Sequence, residues 1–304
     1  MDMYRIIILF LILKGVFMTS SANASTYFGI DIDLHNVAVD VRVNDIPTYF
    51  DEEKGQLTIE KPVPGYIIDG SNSLSLKVFL PYDGDDRMNE FLEGAYAQIT
   101  LFQQDLNNPS NKKELLLSST IKINGNQVIA KIEDHRSNEK FNPDISLSRN
   151  NEAYVEVSTL ISSPFPRWVW QDGQIIQNTK ENYDSLLAVY KDVHTAMKTK
   201  DLKKLKHLYS ARAEETAIAF GLADEDSGQM KLSTGEDMND PNLVLYDFHT
   251  DDVELEVVGN GKLARIRDYD DTQPIFYYQT NADLLHFHKF MFYLNNDNQW
   301  IMIR

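Results

Sequence analysis

Apolar and polar residues alternate along the first part of the chain. One segment carries a valine at every second position, at Val37, Val39, Val41 and Val43. A period of two places these side chains on one face of a β-strand. Similar short segments continue to residue 161, separated by Gly, Pro and Asn, and Asn124-Gly125 is typical of a tight hairpin. The pattern predicts an all-β sandwich over residues 25–161.

The period changes near residue 179. Apolar residues then recur at intervals of three and four over residues 183–197, which predicts an amphipathic helix. A second helix is expected to begin after Asp201, a good N-cap, and to end at Gly221. Strand-like segments follow. Helices followed by a run of strands predict an α+β domain over residues 179–304.

Residues 162–178, which include the stretch SSPFPRWVWQDGQ, are predicted to link the two domains. Proline disfavours both helices and central strands, so the two prolines argue for an irregular segment. We expect Trp168 and Trp170 to pack between the domains, because large aromatic side chains usually fill cores. An aromatic platform for a ligand is the alternative.

Two segments of the first half, VRVNDIPTYF and VPGYIIDGSNSLSLKVFL, resemble a strand pair of galactose-binding-like jelly-roll domains. Asp45 stands where those domains usually have glycine. The resemblance implies a sandwich topology. It assigns no sugar-binding residue to this chain.

The second half resembles the cone-shaped fold of the ketosteroid isomerase and SnoaL-like superfamily. The matching positions are Ala196, Asp201, Leu205, Leu208, Trp300 and Ile301. The resemblance implies helices on a curved antiparallel sheet with a pocket between them. Because several enzymes of that superfamily use an Asp or His base with a Tyr donor, it makes Asp247, His249 and Tyr278 the catalytic candidates. The expected pocket lining is Tyr246, Phe248, Tyr278 and Phe290. A cone that only binds is the alternative.

The first 24 residues have the pattern of a secretory signal. Residues 6–13 form an apolar run, and Ala22 and Ala24 fit the −3 and −1 positions of a cleavage site. A run this short does not span a bilayer. We expect cleavage after Ala24 and a periplasmic or secreted protein without stable membrane association. An uncleaved anchor is the alternative.

Composition narrows the possible partners. The 304 residues include 46 acidic and 29 basic side chains, a net charge of −17, which is expected to repel nucleic acids and anionic lipids. The absence of cysteine excludes disulfides, thiolate zinc sites and a cysteine nucleophile. Sequence motifs for a serine nucleophile, a phosphate-binding loop, a dinucleotide site and a zinc protease are absent as well. The sequence predicts no cofactor.

Three groups of residues are further candidates for binding. Metal ligands are offered by an acidic loop and a histidine pair, namely Asp83, Asp85, Asp86, His286 and His288. The alternative is that the acidic residues lie in solvated turns and the histidines at the rim of a sheet, without a metal. Lys200, Lys203 and Lys204 are expected on one helix face, opposite the leucines. That face is either a solvated surface or an electrostatic contact for an acidic partner or for the chain's own sandwich.

The leading interpretation is an exported, non-catalytic protein that binds another protein. An immunity-type role, in which it neutralises a toxin in the periplasm, fits its acidity, because an acidic surface docks quickly onto basic partners. Two alternatives stay open. One is a cone-fold enzyme or small-molecule carrier, and the other is a glycan-binding module.

Overall fold

The computed structural model describes residues 26–304 except residues 109, 111, 126, 234, 269, 270 and 283. The predicted signal segment lies outside the described residues. Within them, no helix is both long and apolar enough to cross a membrane.

The N-terminal half consists of β-strands, as predicted. Its strands are β1 (Thr26–His35), β2 (Ala38–Val43), β3 (Ile46–Asp51), β4 (Gln56–Pro62), β5 (Gly70–Phe79), β6 (Tyr82–Asp83), β7 (Asp86–Arg87), β8 (Tyr96–Asp105), β9 (Glu114–Asn124), β10 (Gln127–Asp134), β11 (Glu139–Phe141) and β12 (Ala153–Ile161).

Ten of these strands form a sandwich-like pair of antiparallel sheets, and β6 and β7 form a separate two-stranded sheet. The larger sheet has the order β11-β10-β9-β8-β1-β4, and the smaller has the order β12-β5-β2-β3. The inward residues of both sheets belong to one hydrophobic cluster, for example Ile30 and Leu101 from the larger sheet and Val41 and Leu76 from the smaller. The predicted alternation is confirmed, since Val39, Val41 and Val43 have no exposed surface. Strands β9 and β10 pair in the hairpin register expected around Asn124.

The C-terminal half contains helices and further strands. The helices are α1 (Lys180–Lys198), α2 (Leu202–Leu208), α3 (Ser210–Phe220) and α4 (Glu225–Lys231). The strands are β13 (Leu243–Leu245), β14 (Glu254–Val258), β15 (Leu263–Arg267), β16 (Phe276–Gln279), β17 (Leu284–Phe287), β18 (Phe292–Leu294) and β19 (Trp300–Met302). They form two antiparallel sheets, in the orders β13-β16-β17 and β14-β15-β18-β19.

Helix boundaries follow the local signals with one exception. The Asp201 side chain accepts a hydrogen bond from the backbone N–H of Lys204, and Gly221 ends α3 with φ of 63°, a left-handed conformation that glycine adopts easily. The single helix expected between these residues is divided at Tyr209. The turn directs Tyr209 into the core, where it is 4% exposed and its ring meets Phe290 edge-on.

The two halves share buried surface. The larger hydrophobic cluster contains Val258, Leu263 and Met291 from the C-terminal half together with the sandwich core. Trp168 and Trp170, 1% and 4% exposed, belong to the same cluster. The Trp168 indole N–H donates to the backbone oxygen of Ile67 over 2.8 Å. The segment predicted as a linker is therefore packed against both halves.

Helices α3 and α4 pack so closely that one position accepts only glycine. A Cβ atom added to Gly228 would lie 2.0 Å from the backbone oxygen of Ala213. This contact sets how near α4 lies to α3, and both helices supply residues to the cleft described below.

We expect Gly228→Ala to lower the free energy of unfolding by about 2 kcal/mol, because the methyl group meets rigid backbone rather than a movable side chain. Chemical denaturation of the variant and the native chain measures this difference. The control is Met230→Ala in the same helix, where the side chain is 70% exposed, and it should be close to neutral. Equal stability of the two variants would contradict the packing argument.

Candidate functional site

A cleft of about 410 Å³ lies where the N-terminal sheets meet the C-terminal helices. Its N-terminal wall comes from β3 and from residues 62–66. Its C-terminal wall comes from α3, the end of α4 and the segments around β15, β18 and the C-terminus. Ligand sites occur preferentially in concave regions where two structural units meet, and this volume is typical of a small-molecule site.

Much of the cleft wall is apolar. Tyr49, Phe50 and Tyr66 contribute rings from the N-terminal half, and Phe220 and Met291 face them from the C-terminal half. Such walls favour the apolar body of a ligand, because burying that surface removes it from water.

The charge of the cleft is opposite to that of the molecule. Five cationic side chains and two carboxylates line it, namely Arg212, Lys231, Arg265, Lys289 and Arg304 with Glu215 and Asp271. The local charge is thus +3 in a chain whose net charge is −17. Charges that converge on a partly enclosed cleft focus the local field and favour anions there.

Arg304 lines one side of the cleft. Its guanidinium donates to the Glu215 carboxylate and to the backbone oxygen of Gly65, and it lies over the rings of Tyr66 and Trp168. Burial raises the pKa of Glu215, and the attraction of Arg304 partly offsets that effect. The Arg304–Glu215 pair neutralises its own charges, and the hydrogen bond from Arg304 to Gly65 joins the two halves.

Arg265 is neutralised in the same way. It is 2% exposed and contacts Asp271 and Glu256, the latter over 2.6 Å. Asp271 also pairs with Lys289 at 2.5 Å. Glu256 also forms an ion pair with Arg42 of β2, at 2.7 Å. Burial acts to raise the pKa of Glu256, but its cationic neighbours lower it below the ordinary value.

Arg212 differs from these residues because no ion pair or hydrogen bond holds its guanidinium within the described part of the chain. Its contacts are the rings of Tyr209 and Phe290, whose centroids lie 5.6 Å and 5.5 Å away. Its exposure is intermediate, since the cleft opens onto it. The surrounding protein nevertheless lowers its pKa by desolvation. An arginine stays protonated, so the fold holds an unpaired cation at the wall of the cleft.

Lys231 is the second cation of the cleft lining for which the described residues supply no ion pair. Its ammonium group lies 4.1 Å from the centre of the Phe220 ring. Lys231 itself is exposed to solvent. Arg212, in contrast, is partly withdrawn from water, which is unfavourable for a charge that no opposite charge compensates. Arg212 and Lys231 therefore provide donors that an incoming anion would satisfy.

The catalytic candidates do not meet in this cleft. The Asp247 side chain is 95% exposed and pairs with Lys198 at 2.9 Å, and this contact lowers its pKa. His249 is exposed in the irregular segment after β13. Tyr278 lies on β16, where its ring meets that of Tyr246. Of the residues expected to line a cone pocket, Phe290 is fully buried in the core, whereas Tyr246 is 46% exposed.

The metal candidates are also dispersed. No group of three or more possible His or carboxylate ligands occurs in the part of the chain that the structure describes. Asp83 pairs with Lys54 over 2.6 Å. The exposed His286 ring bonds Gln279 at 2.6 Å. His288 lies beyond the end of β17, so the two histidines do not share a regular strand face.

The basic helix face is solvated. Lys200 and Lys203 are exposed, and Lys204 pairs with Asp192 at 3.2 Å. These three residues lie outside the cleft lining. Arg212, which follows in the same basic segment, in contrast lines the cleft. Arg212 follows Tyr209 by three residues and precedes Thr216 by four, so it is in phase with the buried stripe.

His288 packs edge-on against the ring of Tyr277 and lies near Arg212. Burial lowers its pKa to about 4, and the nearby charges of Arg212 and His286 act in the same direction. Its ring stacks on Phe290, and its Nε2 atom is 3.5 Å from the Asp237 carboxylate, whose own pKa is raised by burial. The imidazole is neutral at neutral pH.

Because the folded pKa of His288 is below its unfolded value of about 6.5, the unfolded chain binds the extra proton first. The contribution of His288 to the free energy of unfolding is complete above pH ~6.5. It decreases by up to roughly 3 kcal/mol as the pH falls toward 4. Denaturation at a series of pH values measures this decrease. The free energy of unfolding should fall less steeply with decreasing pH in His288→Asn than in the native chain. The exposed His249→Asn serves as the control and should keep the native slope. An unchanged slope in His288→Asn would exclude this residue as the source.

Comparison with known proteins yields no relative. No family model matches the chain, and neither the curated proteins nor the solved structures contain a match. The chemistry of the cleft therefore rests on the residues that form it.

Proposed function

We propose that this chain is a non-catalytic binding protein whose cleft takes up an anionic group attached to an apolar body. The observation that carries the proposal is the unpaired guanidinium of Arg212. The other arginines of the cleft already have carboxylate partners, so the cleft contains a positive charge that the fold itself does not use.

The shape of the cleft supports the same ligand class. Aromatic side chains of both halves face each other across it, and Lys231 and Arg212 line the C-terminal wall. An anion paired with Arg212 would make charge-assisted hydrogen bonds, which are stronger than neutral ones. Its apolar part would lie among Tyr49, Phe50 and Phe220.

Two further proposals concern architecture and location. We propose that the sandwich is of the jelly-roll type and that the C-terminal half is a cone-like domain. Buried Ala196 and Leu205 and the partly buried Leu208 and Trp300 of the cone motif support this. Export with cleavage after Ala24, and an immunity-type role, also stay proposals. The net charge of −17 supports a basic protein partner.

Anion binding is tested with small probes that differ in charge but share a ring. Phenyl phosphate and phenylacetate are expected to bind the native chain in calorimetric titrations, and the neutral 2-phenylethanol is expected to bind more weakly than either. Arg212→Met should weaken the two anions about tenfold or more, because a hydrogen bond to a charged group is lost.

The exposed Arg149→Met is the matched control and should bind like the native chain. Equal affinity for the neutral and anionic probes, or an Arg212→Met variant with native affinity for the anions, would contradict the proposal.

The same substitution tests whether Arg212 has a structural role. Without ligand, Arg212→Met is expected to raise the free energy of unfolding by about 1 kcal/mol, because an apolar side chain replaces an unpaired cation beside two rings. Arg265→Met should have the opposite effect and lower it by about 3 kcal/mol, since it leaves Asp271 and Glu256 without their buried partner. Denaturant titrations measure both differences. Loss of stability in Arg212→Met would indicate a structural residue instead.

A further inference from the structure

The three-stranded sheet of the C-terminal half exposes a continuous apolar face. Pairing places Val244 of β13 opposite Tyr278 of β16, and Tyr278 opposite Leu285 of β17. A second row runs beside the first, with Tyr246 joined to Phe276 by a backbone hydrogen bond and Phe276 paired with Phe287. We call these six residues the outer face of this sheet.

The outer face is distinct from the protein interior. None of its six residues belongs to either hydrophobic core cluster or to the partly buried side chains packed against them. Val244, Tyr246 and Leu285 are 50%, 46% and 49% exposed. The opposite face of the sheet, in contrast, carries Tyr277, which is 3% exposed.

The rings of the outer face are organised against one another. Tyr246 stacks on Phe276 with centroids 4.9 Å apart, and Phe276 meets Phe287 at 5.2 Å. Such contacts hold the side chains in place before any partner arrives, which reduces the entropy cost of binding. Contiguous exposed apolar surface of this kind marks interaction sites, whereas single exposed side chains do not.

Carboxylates outnumber cations in the segments that lead into and out of this sheet, where Lys198 pairs with Asp247. Residues 232–253 contain no lysine or arginine and include the acidic residues Glu236, Asp237, Asp240, Asp247, Asp251 and Asp252. The three strands of the sheet carry no lysine or arginine either. Asp251 and Asp252, in the segment that leaves the sheet, are exposed. An apolar centre with an acidic border is complementary to an apolar centre with a basic border.

We propose that the outer face is a docking site for a different protein, whose contact surface has apolar side chains surrounded by lysine and arginine. A second copy of this chain fits poorly, because each copy has a net charge of −17 and the same acidic border. The site does not depend on the anion cleft, which is formed by other elements.

The experiment begins with the full chain immobilised and exposed to extract of its own cells. A bound protein is then identified, purified and titrated against the native chain and its variants. Tyr246→Ser combined with Leu285→Ser should weaken its binding more than tenfold, since buried aromatic and aliphatic anchors dominate interface energies. Amide hydrogen exchange in β13, β16 and β17 should slow in the complex. Higher salt should reduce the association rate.

The matched control combines Tyr154→Ser with Ile129→Ser, which removes one tyrosine and one aliphatic side chain of similar exposure, 52% and 50%, from the N-terminal half. It should bind like the native chain, as should Arg212→Met. The proposal is overturned if no protein is recovered, or if the partner binds Tyr246→Ser/Leu285→Ser with native affinity. It is equally overturned if the face binds a glycan, or if it mediates a dimer of this chain that the substitutions abolish.

Discussion

Buried charges have to be neutralised where the two halves of this protein meet, and much of the interface follows from that requirement. The hydrophobic core continues from the sandwich into the C-terminal half, so side chains at the boundary lose water. Arg42 of β2 reaches Glu256, and Arg304 reaches Glu215 and the backbone of Gly65. Removing one partner of such a pair leaves an uncompensated charge, which costs far more than the pair contributes. These contacts fix how the halves meet.

Arg212 is informative because it departs from this rule. The fold pairs Arg42, Arg265 and Arg304 with carboxylates. In the same region the guanidinium of Arg212 contacts aromatic rings alone. Proteins tend to retain unfavourable local features where function requires them. The proposed binding site rests on this unpaired cation, on the apolar walls and on the position of the cleft between the two halves.

Strand patterns in the N-terminal half were predictable because one sheet face is buried and the other is not, so alternation at positions such as Val39 and Val41 survives in the sequence. Helix ends at Asp201 and Gly221 were predictable for a similar reason, since capping is local chemistry. The cleft was not predictable. It depends on residues far apart in the chain, such as Tyr49, Arg212 and Arg304, which only the packing of the halves brings together.

The short strands of the C-terminal half show the same limit. The stretch over residues 284–294 is not a single strand, because the chain leaves β17 before His288, buries Phe290 and then begins β18. Apolar periodicity does not distinguish a residue that faces the core from one that faces an exposed sheet surface. Hence Tyr246 and Phe290, which the sequence suggested for one pocket, lie in different environments.

The charge distribution explains how an acidic protein could hold an anion. At physiological ionic strength, exposed charges more than about 8 Å away are largely screened. A small anion within the cleft is therefore governed by the local charge of +3 and not by the net charge of −17. An extended polyanion would contact the acidic exterior as well and be repelled there. The same exterior would repel nucleic acids and attract a basic protein, so the two proposed sites draw on opposite charges of one molecule.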